Sequence, residues 1–78
     1  MARYFTHLVD GEDVLLDPEG REMDVDDIAP QALLSARDCI SGDVVNGVIN
    51  LKYRIEVQDE HGVVVHVLPF QDAVTLKV

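Results

Sequence analysis

A single cysteine, Cys39, excludes an intramolecular disulfide and a cysteine-rich zinc knuckle, and it fits a reducing cytoplasm. There is no tryptophan, and Tyr4, Phe5, Tyr53 and Phe70 are the only aromatic residues, so the core must be built from Val, Leu, Ile and Ala. Basic residues are scarce, six against fifteen acids, for a net charge of −9. Such a charge repels phosphate backbones, so nucleic-acid binding is not expected. Anionic membrane surfaces are disfavoured for the same reason. No apolar run approaches about 20 residues, so no membrane span is expected. Thr6, His7 and Asp10 interrupt the apolar stretch after Arg3, so no signal peptide is expected either. A glycine-rich phosphate loop, a serine nucleophile elbow and a redox cysteine pair are all missing from the sequence. The chain therefore reads as a cytoplasmic, non-enzymatic protein without a cofactor.

What the sequence does contain is hydrophobic enough to fold. A hydrophobic fraction of 47% is incompatible with a disordered chain, because disorder requires low hydrophobicity together with high charge. Its 78 residues make one domain, 1–78. A core of this size yields only about 3–5 kcal/mol net, and clustered charge subtracts from it by self-repulsion. A marginal monomer or an obligate homodimer is expected.

The charge is local. Residues 10–27 hold nine acids (Asp10, Glu12, Asp13, Asp17, Glu19, Glu22, Asp24, Asp26, Asp27) against Arg21 alone, and the rest of the chain is close to neutral. Within and around this segment, Arg3–Val9 alternates as a strand, with Phe5, His7 and Val9 on one face and Tyr4, Thr6 and Leu8 on the other. Asp10-Gly11 signals a tight hairpin turn, Val14–Leu16 a short return strand, and Asp17-Pro18-Glu19-Gly20 a β-turn. Asp24, Asp26 and Asp27 offer acceptors and negative charge to a helix N-terminus, and Pro30 fixes that start near 26–29. Ala29, Leu33, Ala36, Ile40 and Val44 recur as a helical stripe, which Asn46-Gly47 terminates. Gly42 weakens the helix by up to about 1 kcal/mol relative to alanine.

Tyr53, Ile55 and Val57 alternate with Arg54, Glu56 and Gln58, as in a half-buried strand. A Gly-containing loop at 59–62 leads to Val63–Leu68, which is apolar everywhere except His66. A strand without alternation is covered on both faces or lies against a partner. Pro69 ends it, and 70–78 is left as an edge segment or loose tail, loose above all over 71–78. The order is ββαββ. It defines an α+β fold in which a small four-stranded sheet, antiparallel or mixed, carries one helix on one face.

The pattern Arg3-Tyr4-Phe5-x-His7-x-x-Asp10-Gly11, then Asp17-x-Glu19-Gly20, then a helix with Ala32 and Ala36-Arg37, resembles a family of short alphaproteobacterial proteins of unknown function. Glu56-Val57-x-Asp59-x-x-Gly62 and Pro69-Phe70 continue the resemblance, which runs from Arg3 to about residue 72. The chain departs from that pattern at Thr6, where the family often has a second Phe, and at Asp43-Val44-Val45, where basic residues are common. The resemblance implies one compact cytoplasmic domain and no particular activity.

Three functional readings follow. The first is an acidic interaction or regulatory module that meets a protein partner, a basic one in the case of its acidic face, at Asp24, Asp26 and Asp27 or at an uncovered strand at Val63, Val65 and Val67. The second is a divalent-cation site drawn from Asp10, Glu12, Asp13 and Asp17, since hard cations require several converging oxygens; the spacing matches no EF-hand loop. His7 and His66 are the further metal candidates, if their strands are neighbours. The third is an acidic mimic of nucleic acid, for which one short charged segment is small. No catalytic residue stands out.

Overall fold

The computed structural model describes residues 2–77. Five strands, all paired antiparallel, form one sheet: β1 (Ala2–Asp10), β2 (Asp13–Leu15), β3 (Arg21–Met23), β4 (Arg54–Gln58) and β5 (Val64–Pro69). The main helix, α1 (Ile28–Val45), is preceded by a short 3-10 turn at Val25–Asp27, and a one-turn helix, α2 (Phe70–Ala73), follows β5. The α+β class read from the sequence stands, and the sheet has one strand beyond the expected four. The extra strand, β3, has only three residues, too few for alternation to be visible in the sequence.

The strand order is β2-β1-β4-β5, with β3 also on β1. Both β2 and β3 lie along the same edge of β1, pairing with residues 8–10 and 2–4 respectively, and β4 takes the other edge at 5–9. The hairpin expected at Asp10-Gly11 forms with a two-residue loop, and Gly11 has φ 58°. Across the sheet, Leu8, Ile55 and Leu68 stand in one register row, as do Thr6, Val57 and His66. These rows face α1, which places Phe5, His7, Val9, Arg54, Glu56 and Val67 on the opposite, outer face.

The helix begins and ends where Pro30 and Asn46-Gly47 direct, with Gly47 at φ 82°, and Gly42 does not interrupt it. Its buried stripe is Ile28, Ala32, Ala36 and Ile40 rather than the expected series beginning at Ala29 and ending at Val44; both of those residues are exposed. Alanine carries little phase information, so the two registers look alike in sequence. The structure selects the one in which Ala32 and Ala36 allow the helix backbone to approach the sheet. Asp24, Asp26 and Asp27 do not cap with their side chains. Instead, the Asp24 carbonyl accepts the Asp27 N–H at 2.9 Å, and the three carboxylates remain exposed.

The core joins Met23, the buried helix stripe, Ile55, Val57, Phe70 and Ala73. This corrects the reading of 70–78 as loose. Phe70 is 0% exposed, its ring meets Tyr53 edge-on at 5.5 Å, and its N–H donates to the Tyr53 carbonyl at 2.9 Å. Arg37 Nε donates to the Ala73 carbonyl at 2.9 Å, tying α2 to α1. Pro69 explains how a tail becomes core. It closes β5 in an extended conformation, φ −64° and ψ 142°, and starts the one-turn helix that swings Phe70 under the sheet. Val78, the end of the expected tail, lies outside the described residues.

Candidate functional site

Between β2 and β3 the chain leaves the edge of β1 for five residues, 16–20, and the unpaired backbone there must find other partners. Asp17 supplies them. Its carboxylate accepts the N–H of Thr6 and of Gly20, each at 3.2 Å, and its own N–H donates to His7 Nδ1 at 3.0 Å. His7 is 7% exposed, and because Nδ1 accepts, its proton sits on Nε2 in the neutral ring. Phe5 stacks beside it with ring centroids 6.5 Å apart. Gly20, at φ 68°, passes so close to β1 that an added Cβ would lie 2.8 Å from both the Tyr4 carbonyl oxygen and the Phe5 ring. Arg3 closes the group, donating from Nη1 to the Glu19 carbonyl at 2.7 Å with Glu22 3.9 Å away. Most residues that carry the first part of the family resemblance, Arg3, Tyr4, Phe5, His7, Asp17, Glu19 and Gly20, thus converge on one structural knot, while Asp10-Gly11 forms the hairpin turn. The partner of the His7 ring is a backbone amide.

This arrangement separates the proposed metal ligands. His7 lies on the outer face of β1 and His66 on the helix-facing side of β5, with β4 between them, so the two do not meet. The Asp17 carboxylate is committed to backbone amides. Among the described residues no three His, Cys, Asp or Glu side chains are grouped as a metal ion would need. Asp10 and Asp13 are direct cross-strand partners beside the hairpin turn, while Glu12 sits exposed in that turn. Like charges opposite one another are destabilising by roughly 0.2–1 kcal/mol. Replacing both by Asn should therefore raise the thermal midpoint, most at low ionic strength and less as salt screens the pair. A cation-binding role predicts instead that the same double variant loses a calcium or magnesium isotherm shown by the parent chain, so calorimetry with each ion separates the two.

Cys39 is half-buried, on the flank of α1. Burial first, then the Asp43 and Asp38 carboxylates, pushes its thiol above the ordinary range. A thiol so placed is protonated at neutral pH and is a poor nucleophile.

Two surfaces remain. The first is β5. Val64, Val65 and Val67 are 44–47% exposed, Val63 is exposed just before the strand, and no charged residue occurs from Val63 to Phe70. The register shifts here, with Val57 opposite His66 and Gln58 opposite Val64, so Val64 and Val65 together face one residue of β4. Bulges and prolines are ordinary means of blunting a sheet edge against further strands, and β5 has both. Its outward face has no such protection. On that face the valines border a polar strip on β4, where Arg54 Nε and Glu56 Oε2 pair at 2.6 Å.

The second surface is on the helix side. A helix about 10–12 Å across covers roughly two strands set about 4.8 Å apart, and α1 lies mainly over β4 and β5. The inner face of β1 and β2 is left as a cleft of about 400 Å³. Leu8, Met23 and Ile55 line its floor, with Gln31, Ser35 and Cys39 of α1 along one side. Leu15 and Leu16, 70% and 65% exposed, stand on the other. Sequence reading missed this cleft. Its signal was a pair of adjacent leucines inside the most acidic segment of the chain.

A small antiparallel sheet with one long helix, its first strand locked by an Asp-His-Gly knot, is thus the class of domain this sequence encodes. The chain belongs to the family described as Domain of unknown function (DUF6894), whose model matches residues 3–71. Neither a curated protein nor a solved structure matches the chain. No helix among the described residues is long and apolar enough to cross a membrane.

Proposed function

We propose that the chain is a small acidic interaction module, non-enzymatic and without a cofactor, that acts through protein–protein contacts in the cytoplasm as a homodimer. The observation that carries this reading is the outward face of β5, where three exposed valines, Val64, Val65 and Val67, occur in an uncharged run. Exposed apolar residues that cluster mark contact sites far more often than scattered ones do. Electrostatics supports a second copy as the occupant. Two chains of net charge −9 repel wherever their acidic segments approach, and the uncharged valine face on the far side of the sheet from β2 and β3 keeps those segments apart. The bulge and Pro69 favour packing face to face over joining strand to strand.

Replacing Val65 by Asp places a charge at the centre of this face, where the native side chain is 44% exposed and little fold stability is at stake. The expected result is a sedimentation mass that falls from two chains to one with an unchanged amide spectrum. An unchanged dimer would move the contact to another surface, and a parent chain that sediments as a monomer at high concentration would remove the homodimer altogether.

A further inference from the structure

The cleft beside α1 has a shape and a charge that go together, and neither is used by the valine face. Its floor is apolar, and its side along α1 is made of Gln31, Ser35 and Cys39, spaced by four so that they form one flank of the helix. Two of these side chains are small, which lets another backbone lie close to α1. Leu15 and Leu16 leave apolar surface standing in water at its margin. Asp17 lines it, Asp10 and Asp13 lie next to Leu8 and Leu15, and Asp38 and Asp43 lie near Cys39 on α1, against the single lining cation Arg21, which already donates to Gln31 at 3.3 Å. The sheet is wide enough for a second long helix next to the first, and among the described residues the only other α-helix is the one-turn α2.

We infer that this cleft receives an amphipathic helix of a partner protein, with leucine-like side chains seated over Leu8, Met23 and Ile55 and lysine or arginine residues turned toward the acidic margin. The inference rests on the reading of the chain as an interaction module, but on a surface separate from the valine face. Charge decides between occupants. A second copy of this chain offers no basic amphipathic segment, its six bases being dispersed among fifteen acids. A small anionic molecule would find one cation, already engaged. A cationic helix gains apolar burial from the cleft and attraction from its rim, the latter acting mainly on the rate and choice of association.

The test uses labelled full-length protein and a synthetic peptide of leucine and lysine in helical spacing, roughly 14 residues or about four turns long. A second peptide with glutamate for every lysine serves as the control. Saturable amide shifts confined to residues around Leu8, Leu15, Leu16, Ser35 and Cys39 are expected with the basic peptide, and none with the acidic one. Affinity should fall several-fold between about 0.05 and 0.3 M salt, as screening predicts. Leu16→Asp should weaken binding by at least about tenfold, close to 1.4 kcal/mol. Val65→Asp should leave peptide binding intact, so loss of the dimer and loss of the cleft are read separately. Shifts spread over all acidic surfaces, equal binding of both peptides, or no shift with either would overturn the inference. Shifts in the cleft with decanoate and none with the basic peptide would also overturn it, in favour of a small apolar ligand.

Discussion

Gly20→Ala is expected to destabilise the protein by roughly 2–6 kcal/mol, from two separate costs. A left-handed backbone at φ 68° costs a residue with a Cβ about 1–3 kcal/mol. The new methyl would also lie 2.8 Å from the Tyr4 carbonyl oxygen, a backbone atom inside a paired strand that cannot move aside, and forcing such a contact costs about 1–3 kcal/mol more. Gly11→Ala is the internal reference. Gly11 has a similar φ of 58° but open space where its Cβ would go, so it should show the first cost alone. Thermal or urea unfolding of both variants isolates the contact as their difference. Equal midpoints would mean that the 16–20 loop does not press against β1 as described.

Phe70→Ala should be the most damaging change in the second half of the chain. The side chain is wholly buried, and truncating a buried phenylalanine costs about 3–5 kcal/mol. A core of this size has only about 3–5 kcal/mol to lose. The variant is expected to sit near its unfolding midpoint at physiological temperature and to lose protection from hydrogen exchange in α1 and β4 together, because Phe70 meets Tyr53 and belongs to the core shared by both. A near-native melting curve would show that α2 is a dispensable flap. Leu76→Ala, a change at a residue 68% exposed, is the matched control and should be almost silent.

What could be read in advance followed how far each signal reaches along the chain. The Asp10-Gly11 hairpin, the helix bounded by Pro30 and Gly47, and the alternation of Tyr53, Ile55 and Val57 are local patterns, and each forms where it was expected. The burial of Phe70 depends on where Pro69 sends the chain after β5, which no periodicity encodes. The pairing of β3 depends on Asp17 holding the intervening loop against His7 and Thr6, a contact across ten and eleven residues made by one carboxyl group and one amide. The two surfaces divide in the same way. The valine run was visible because residues 63–68 are apolar at every position except His66. The cleft was not, because it results from a helix covering two strands of a wider sheet, which is a matter of widths rather than of residue type.

The double pairing of one edge of β1 has a consequence for how the chain is made. β2 and β3 are contiguous in sequence with the strand they join, so that edge can zip within a short stretch of newly made chain. The opposite edge waits for β4, more than forty residues downstream, and at about 5–20 residues per second the wait lasts for seconds. During that interval a nascent β1 shows a half-finished sheet with Phe5 and Val9 uncovered on one side and Leu8 on the other. Over that interval the acids of residues 10–27, which flank the finished edge, carry like charge and repel their counterparts on neighbouring chains.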